Sequence, residues 1–143
     1  GEVPEGDYIV PIGKSTVQRP GKDVTIVTYS KMLEISLKAA DQLAKEGIEA
    51  EIVDLRSLRP LDMDPVLESF KKTNRAGIVE EGWNSFGVGS GVSPRIYEEA
   101  FDYVDAPIKR VAQAEVPLPY NRTLEQAALP KVEDVVAAVK EVL

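Results

Sequence analysis

Three short runs, DVTIVTY (23–29), AEIVDL (50–55) and AGIVE (76–80), constrain this chain more than any other feature. Each is rich in β-branched or aliphatic residues and lacks polar alternation across its centre, the pattern of strands buried on both faces. Helical signals separate them. Between the first two, Leu33, Leu37, Ala40 and Ala44 share one face of a helix spanning 32–45, with Ser30 placed as its N-cap and Gly47 where a C-cap belongs. Pro60 and Pro65 punctuate a loop before a short helix at 66–72. A glycine-started helix follows over 89–100, then a fourth strand over 108–112 and an irregular, proline-bearing loop over 115–130. Val132, Val135, Val136, Val139 and Val142 line one face of a final helix. Residues 14–19 read as a short edge strand closed by the Pro20-Gly21 turn. Strand and helix alternate, so an α/β fold is expected, with a mainly parallel sheet covered by helices on both faces. In such sheets ligands and partners meet the loops beyond the strand carboxyl ends, here those starting near Ser30, Arg56, Glu80 and Ala112.

Composition narrows the chemistry. The 143 residues suit one domain, assigned to 14–143, preceded by an extended linker over 1–13 that holds three glycines and two prolines; Gly1 reads as the remnant of a tag. The chain has no cysteine and no histidine. Disulfides, thiolate nucleophiles, zinc–thiolate sites and a Ser-His-Asp triad are therefore excluded, as is the commonest general base near neutral pH. A net charge of −7 with scattered basic residues argues against nucleic acid and suits a basic protein partner. No run of eighteen apolar residues suggests a membrane span, and no basic n-region followed by an apolar core suggests a signal peptide.

Four local motifs have readings of their own. Glu80-Glu81 end the third strand; adjacent strand residues face opposite ways, so one is expected to accept backbone N–H groups or a salt bridge while the other meets solvent. Gly87-Val-Gly-Ser-Gly91 precedes a helix, where phosphate can bind, but it lacks the spacing of a dinucleotide loop and a phosphate-loop lysine, so it reads as close packing. Trp83 and Phe86 on the same loop fit an interface anchor as well as core coverage. Arg56 and Arg59 could clamp an anion, but pairing with Asp62, Asp64 or a neighbouring subunit's acids is the favoured reading. In Asp105-Ala106-Pro107 the proline would present Asp105 rigidly, and a carboxylate at Leu143, after a helix, favours a cation.

The ordered series VTIV with YSKM, AEIVDLRSLRPLD, VEEGW, FGVG, FDYVDAP, VPLPY and LP resembles the C-terminal domain of pyruvate dehydrogenase β subunits over residues 9–143. The resemblance implies a three-layer α/β/α fold with a five-stranded, mostly parallel sheet of the transketolase C-terminal type. It implies a parent α2β2 enzyme that decarboxylates pyruvate and acetylates lipoyl groups. There thiamine diphosphate and magnesium are held by the α subunit and by the N-terminal half of β, which also carries the catalytic histidine. This domain is accordingly expected to hold no catalytic, cofactor or metal residue and to be inactive alone. Its implied partners are the α subunit, a second β subunit and the peripheral subunit-binding domain of the dihydrolipoyl acyltransferase. By the resemblance, Asp105 and the Leu143 carboxylate receive basic groups of that domain. Arg56, Arg59, Trp83 and Phe86 are candidates for the subunit interface. The implied compartment is the mitochondrial matrix or a bacterial cytoplasm. Asn84-Ser85-Phe86, Gln113-Ala114-Glu115 and Ser90-Gly91 depart from the family pattern, all on or beside loops. A branched-chain 2-oxoacid or acetoin dehydrogenase β subunit, or a free-standing anion-binding α/β domain, is the alternative.

Overall fold

The computed structural model describes residues 5–143, so the first four residues of the 1–13 linker lie outside the described residues. From Glu5 to Gly13 the chain forms neither helix nor strand and is largely exposed. Five strands follow: β1 (Thr16–Arg19), β2 (Val24–Thr28), β3 (Ala50–Asp54), β4 (Ala76–Trp83) and β5 (Lys109–Gln113). Their order across the sheet is β1-β3-β2-β4-β5. β1 lies antiparallel to β3 at one edge, and the remaining strands are parallel.

All five residues of β2 and of β3 are buried, which is why neither alternates in sequence. Successive side chains feed opposite layers. Ile26, Ile52 and Val79 join one apolar cluster with Leu43 of α1 (Met32–Lys45) and Val135 and Val139 of α5 (Val132–Lys140). Val27, Val53 and Ile78 join a second with Phe70 of α2 (Asp64–Thr73) and Val92 and Ile96 of α3 (Gly89–Ala100). The expected three-layer α/β/α sandwich results.

Several local expectations change. Gly47 does cap α1: at φ +83° it adopts the left-handed conformation, and Ile48 N–H donates to Leu43 O at 3.0 Å. Ser30 does not. It sits at φ +56°, Lys31 takes the cap position without a side-chain cap bond, and the helix start is held by the buried Met32. The second helix begins at Asp64 because Pro65 falls in its first turn, where a missing N–H costs nothing. The irregular loop expected over 115–130 contains a helix, α4 (Arg122–Ala128), whose N-cap Asn121 accepts from Thr123 N–H at 3.0 Å and Leu124 N–H at 3.3 Å. The prolines at 117, 119 and 130 flank this helix and do not enter it.

Buried polar side chains tie helix to sheet. Thr25 Oγ1 lies 2.6 Å from Ser69 Oγ and 2.7 Å from Thr73 Oγ1, joining β2 to α2. The Glu51 carboxylate of β3 is buried against Lys72 of α2 and accepts Gly21 N–H at 3.1 Å.

Candidate functional site

The carboxyl edge of the sheet gathers Tyr29 after β2, Arg56 after β3, the Glu80–Gly89 loop at the end of β4 and Gln113–Val116 after β5. At its centre is Glu80, 1% exposed. Its Oε1 accepts the N–H of Gly89, the first residue of α3, at 2.9 Å, and its Oε2 accepts the Tyr29 hydroxyl at 3.3 Å. Three glycines shape the cavity around this carboxylate. A Cβ on Gly82 would stand 3.1 Å from Oε2, one on Gly89 2.7 Å from Oε1, and one on Gly87 2.7 and 2.8 Å from the two oxygens. The glycine spacing thus serves close approach to a buried acid. Glu81 faces the other way and pairs with Lys31 at 3.6 Å, so the two neighbouring acids divide their roles as the strand geometry requires.

Tyr29 registers this environment. Burial, then the adjacent Glu80 charge and its hydrogen bond, push the phenol up to about 12. The phenol is therefore a fixed hydrogen-bond donor to Glu80 across the neutral range. The first four N–H groups of α3 are already spent: Gly89 N–H goes to Glu80, Ser90 N–H to Gly87 O (3.0 Å), and Gly91 and Val92 N–H both to Val88 O (2.9 and 3.0 Å). These residues do not fit a diphosphate group.

The loop that wraps Glu80 carries the aromatic candidates outward. Ser85 N–H and Oγ both bond Glu115 Oε1, at 2.9 and 2.6 Å, fastening the loop to the segment after β5 and holding the Glu115 carboxyl below its ordinary value. The Trp83 indole N–H points at Val116 O (3.1 Å) and at the Gln113 amide, which in its satisfied orientation also donates to Glu81 O at 2.9 Å. Trp83 remains about half exposed and Phe86, at φ +60°, is fully exposed. Val116, Leu118, Tyr120 and Leu124 extend this apolar surface through the segment between β5 and α5. Asn121, with its open N-cap position before a helix-forming run, is the signal that could have found α4.

The arginines behave differently from expectation. Neither bonds Asp62 or Asp64 among the described residues; Arg56 lies 3.9 Å from Asp54 instead. Asp62 is already engaged by Lys14 at 3.5 Å and by Ser15 N–H at 3.3 Å. Arg56 (φ +53°) leaves the strand in a left-handed turn, and Arg59 makes no ion pair among the described residues. The two guanidinium groups therefore do not form a clamp with a common carboxylate.

Asp105 and Leu143 lie at the opposite, amino edge of the sheet. Val104 packs into one apolar layer and Ala106 into the other, so Asp105 between them is directed outward, and its N–H donates to Asn74 O at 3.1 Å. Val142 packs in the same cluster as Ala106, and Lys109 pairs with Glu141 at 2.5 Å, which brings the end of α5 to the start of β5. Asp105 is exposed, with Arg75 Nη2 3.8 Å away, and Leu143 is about half exposed.

Comparison with known proteins agrees with this architecture. The chain is 50% identical over 139 residues to "Pyruvate dehydrogenase E1 component subunit beta-1, mitochondrial" of Arabidopsis thaliana, covering 97% of this chain and 38% of the relative. It is 51% identical over 142 residues to the mitochondrial β subunit of Drosophila melanogaster, covering 99% and 39%. A third relative, the β subunit of Rickettsia felis, is 48% identical over 141 residues, covering 99% and 43%. The chain thus spans about two-fifths of the length of the curated relatives it matches. Among solved structures, one described as "Split gene transketolase, inactive beta4 tetramer" superposes over the whole chain and 45% of its own, with TM-score 0.83 and 35% identity. A 2-oxoglutarate:ferredoxin oxidoreductase from Magnetococcus marinus shares the fold at TM-score 0.57 and 14% identity, over 90% of this chain and 19% of its own. The model of "Transketolase, C-terminal domain" matches residues 13–135, and on that match across most of its length this chain belongs to the transketolase C-terminal domain family.

Proposed function

We propose that this chain is the C-terminal domain of a pyruvate dehydrogenase β subunit and that it works by assembly and docking. The observation that carries the reading is identity of 48–51% to such β subunits across nearly the whole chain. The site chemistry supports it. The most deeply buried acid at the carboxyl edge, Glu80, has both oxygens engaged internally, and the N–H groups of Gly89 to Val92 beside it are already bonded within the turn. With no histidine in the chain, the commonest general base near neutral pH is missing from this edge.

In the parent enzyme, pyruvate is decarboxylated and its acetyl group passed to lipoyl groups. Thiamine diphosphate and magnesium would be held by the α subunit and by the N-terminal half of β. The aromatic surface around Trp83 and Phe86 would pack against the α subunit or the second β subunit, since exposed aromatic anchors at a loop edge suit a desolvated interface. At the amino edge, Asp105 and Leu143 would meet the acyltransferase's peripheral subunit-binding domain, with Asp105 receiving one of its basic groups. The compartment would be the mitochondrial matrix or a bacterial cytoplasm, as for the relatives.

Calorimetric titration of the chain with thiamine diphosphate and magnesium is expected to give no heat of binding, and pull-down with a recombinant peripheral subunit-binding domain is expected to retain it. Micromolar cofactor affinity would refute the first statement. Failure of retention would refute the second.

A further inference from the structure

Asp105 is not an open carboxylate. Its ion-pair partner is Arg75, the residue after Asn74, which caps α2 in the left-handed conformation at φ +60°. That turn fixes where Arg75 begins, and the Asp105 N–H bond to Asn74 O fixes where Asp105 begins. The two backbones are therefore registered independently of their side chains. The side chains meet only at 3.8 Å, with Arg75 about one-third and Asp105 about one-half exposed. A pair this exposed and this long is weak and exchangeable. A second resident cation sits on α2: the Lys71 ammonium lies 5.7 Å from the centre of the Tyr103 ring, two residues before Asp105.

From this arrangement we propose that Arg75 is a built-in competitor for Asp105, occupying the docking acid until a cationic side chain of the partner displaces it. The proposal rests on the docking reading of Asp105 given above and adds its regulation. Arg75 sets a threshold: a partner must offer a cation with better geometry than one held at 3.8 Å to gain anything from Asp105. A bidentate guanidinium meets that requirement and a single ammonium meets it less well, because a planar fork matches a carboxylate with two bonds. The masked acid therefore selects an arginine-bearing partner surface over a lysine-bearing one.

The test is titration of the 143-residue chain with a recombinant peripheral subunit-binding domain, on wild type, Arg75→Gln, Asp105→Asn and the double variant, with thermal unfolding of each. Arg75→Gln is expected to tighten binding by roughly two- to fivefold, the range that an exposed ion pair spans. Asp105→Asn is expected to weaken it by at least tenfold, and in that background the Arg75 change should have no effect. Unchanged or weaker binding by Arg75→Gln, with Asp105→Asn still damaging, would overturn the competitor while leaving the docking acid in place. Unchanged binding by Asp105→Asn would overturn the docking reading itself. Arg75→Lys separates competition from a structural role: it keeps the charge but not the planar fork, so binding between the wild-type and Arg75→Gln values supports competition, and binding weaker than wild type refutes it.

Discussion

Glycine in a helix ordinarily costs stability, so replacing Gly89 by alanine at the start of α3 would by propensity alone gain a few tenths to 1 kcal/mol. The structure predicts the opposite sign. Gly89 is buried, and a Cβ there would stand 2.7 Å from Glu80 Oε1, 3.2 Å from Ile78 Cγ2 and 3.3 Å from Arg110 Cδ. The first contact is the decisive one, because the same oxygen accepts the Gly89 N–H at 2.9 Å. To admit the methyl group the carboxylate must move, and it is enclosed by Gly82, Gly87 and the Tyr29 hydroxyl. Overpacking costs about 1–3 kcal/mol. Lengthening a buried hydrogen bond to a charged group removes about 1.5–3 kcal/mol more. Even the lower bounds together exceed the propensity gain, leaving a net loss of roughly 2–4 kcal/mol and a fall in Tm on the order of 10 °C for a domain of this size. Gly91 supplies the internal control: it lies two residues along the same helix, and a Cβ there meets nothing within 4 Å. Gly91→Ala should therefore be neutral or stabilising by about 0.5–1 kcal/mol. Urea unfolding of the two variants followed by circular dichroism tests the pair. A Gly89→Ala protein as stable as wild type would show that the Glu80 cavity is not the close fit described here.

Three further outcomes follow from other parts of the molecule. The Tyr29 phenol, raised to about 12 against an ordinary 10.0, favours the fold below pH 10 and loses that contribution as pH rises from 10 towards 12; ultraviolet titration should show one late-ionising tyrosine that moves back towards 10 in Glu80→Gln. Burial acts to raise the Glu51 carboxyl, but hydrogen bonds from Lys72, Ser69 and Gly21 N–H outweigh it and hold the group below its ordinary 4.5. Glu51 therefore stabilises the fold above that value and loses its contribution as pH falls below it, so Glu51→Gln should flatten the acid limb of a stability–pH curve; an unaltered limb would exclude this carboxylate as its source. Phe86→Ser should change monomer stability by no more than about 0.5 kcal/mol, as that side chain is fully exposed, whereas Trp83→Ala, which gives up the indole bond to Val116 O, should cost about 1–2 kcal/mol. The same pair should abolish any concentration-dependent association seen by sedimentation, and persistence of association would move the subunit interface elsewhere.

The sequence by itself determined the parallel-sheet fold and most of the element boundaries. Fully buried strands such as β2 and β3 must be apolar at every position, and a helix packed on one side must repeat every three to four residues, so both leave local periodic signals. It also decided that Glu80 and Glu81 would part company, since strand geometry alone separates neighbours, and the motif series was sufficient to point to the family. Helix α4 was legible at Asn121 but hidden by proline density around it. Other features arise only when distant segments meet. That Tyr29, just beyond β2, reaches the Glu80 carboxylate of β4, that Ser85 is fastened to Glu115, and that Arg75 stands over Asp105 thirty residues away are contacts between segments with no local periodicity to announce them. Sequence spacing fixes which face a residue shows; only the packing of one element against another fixes which atom it finds there.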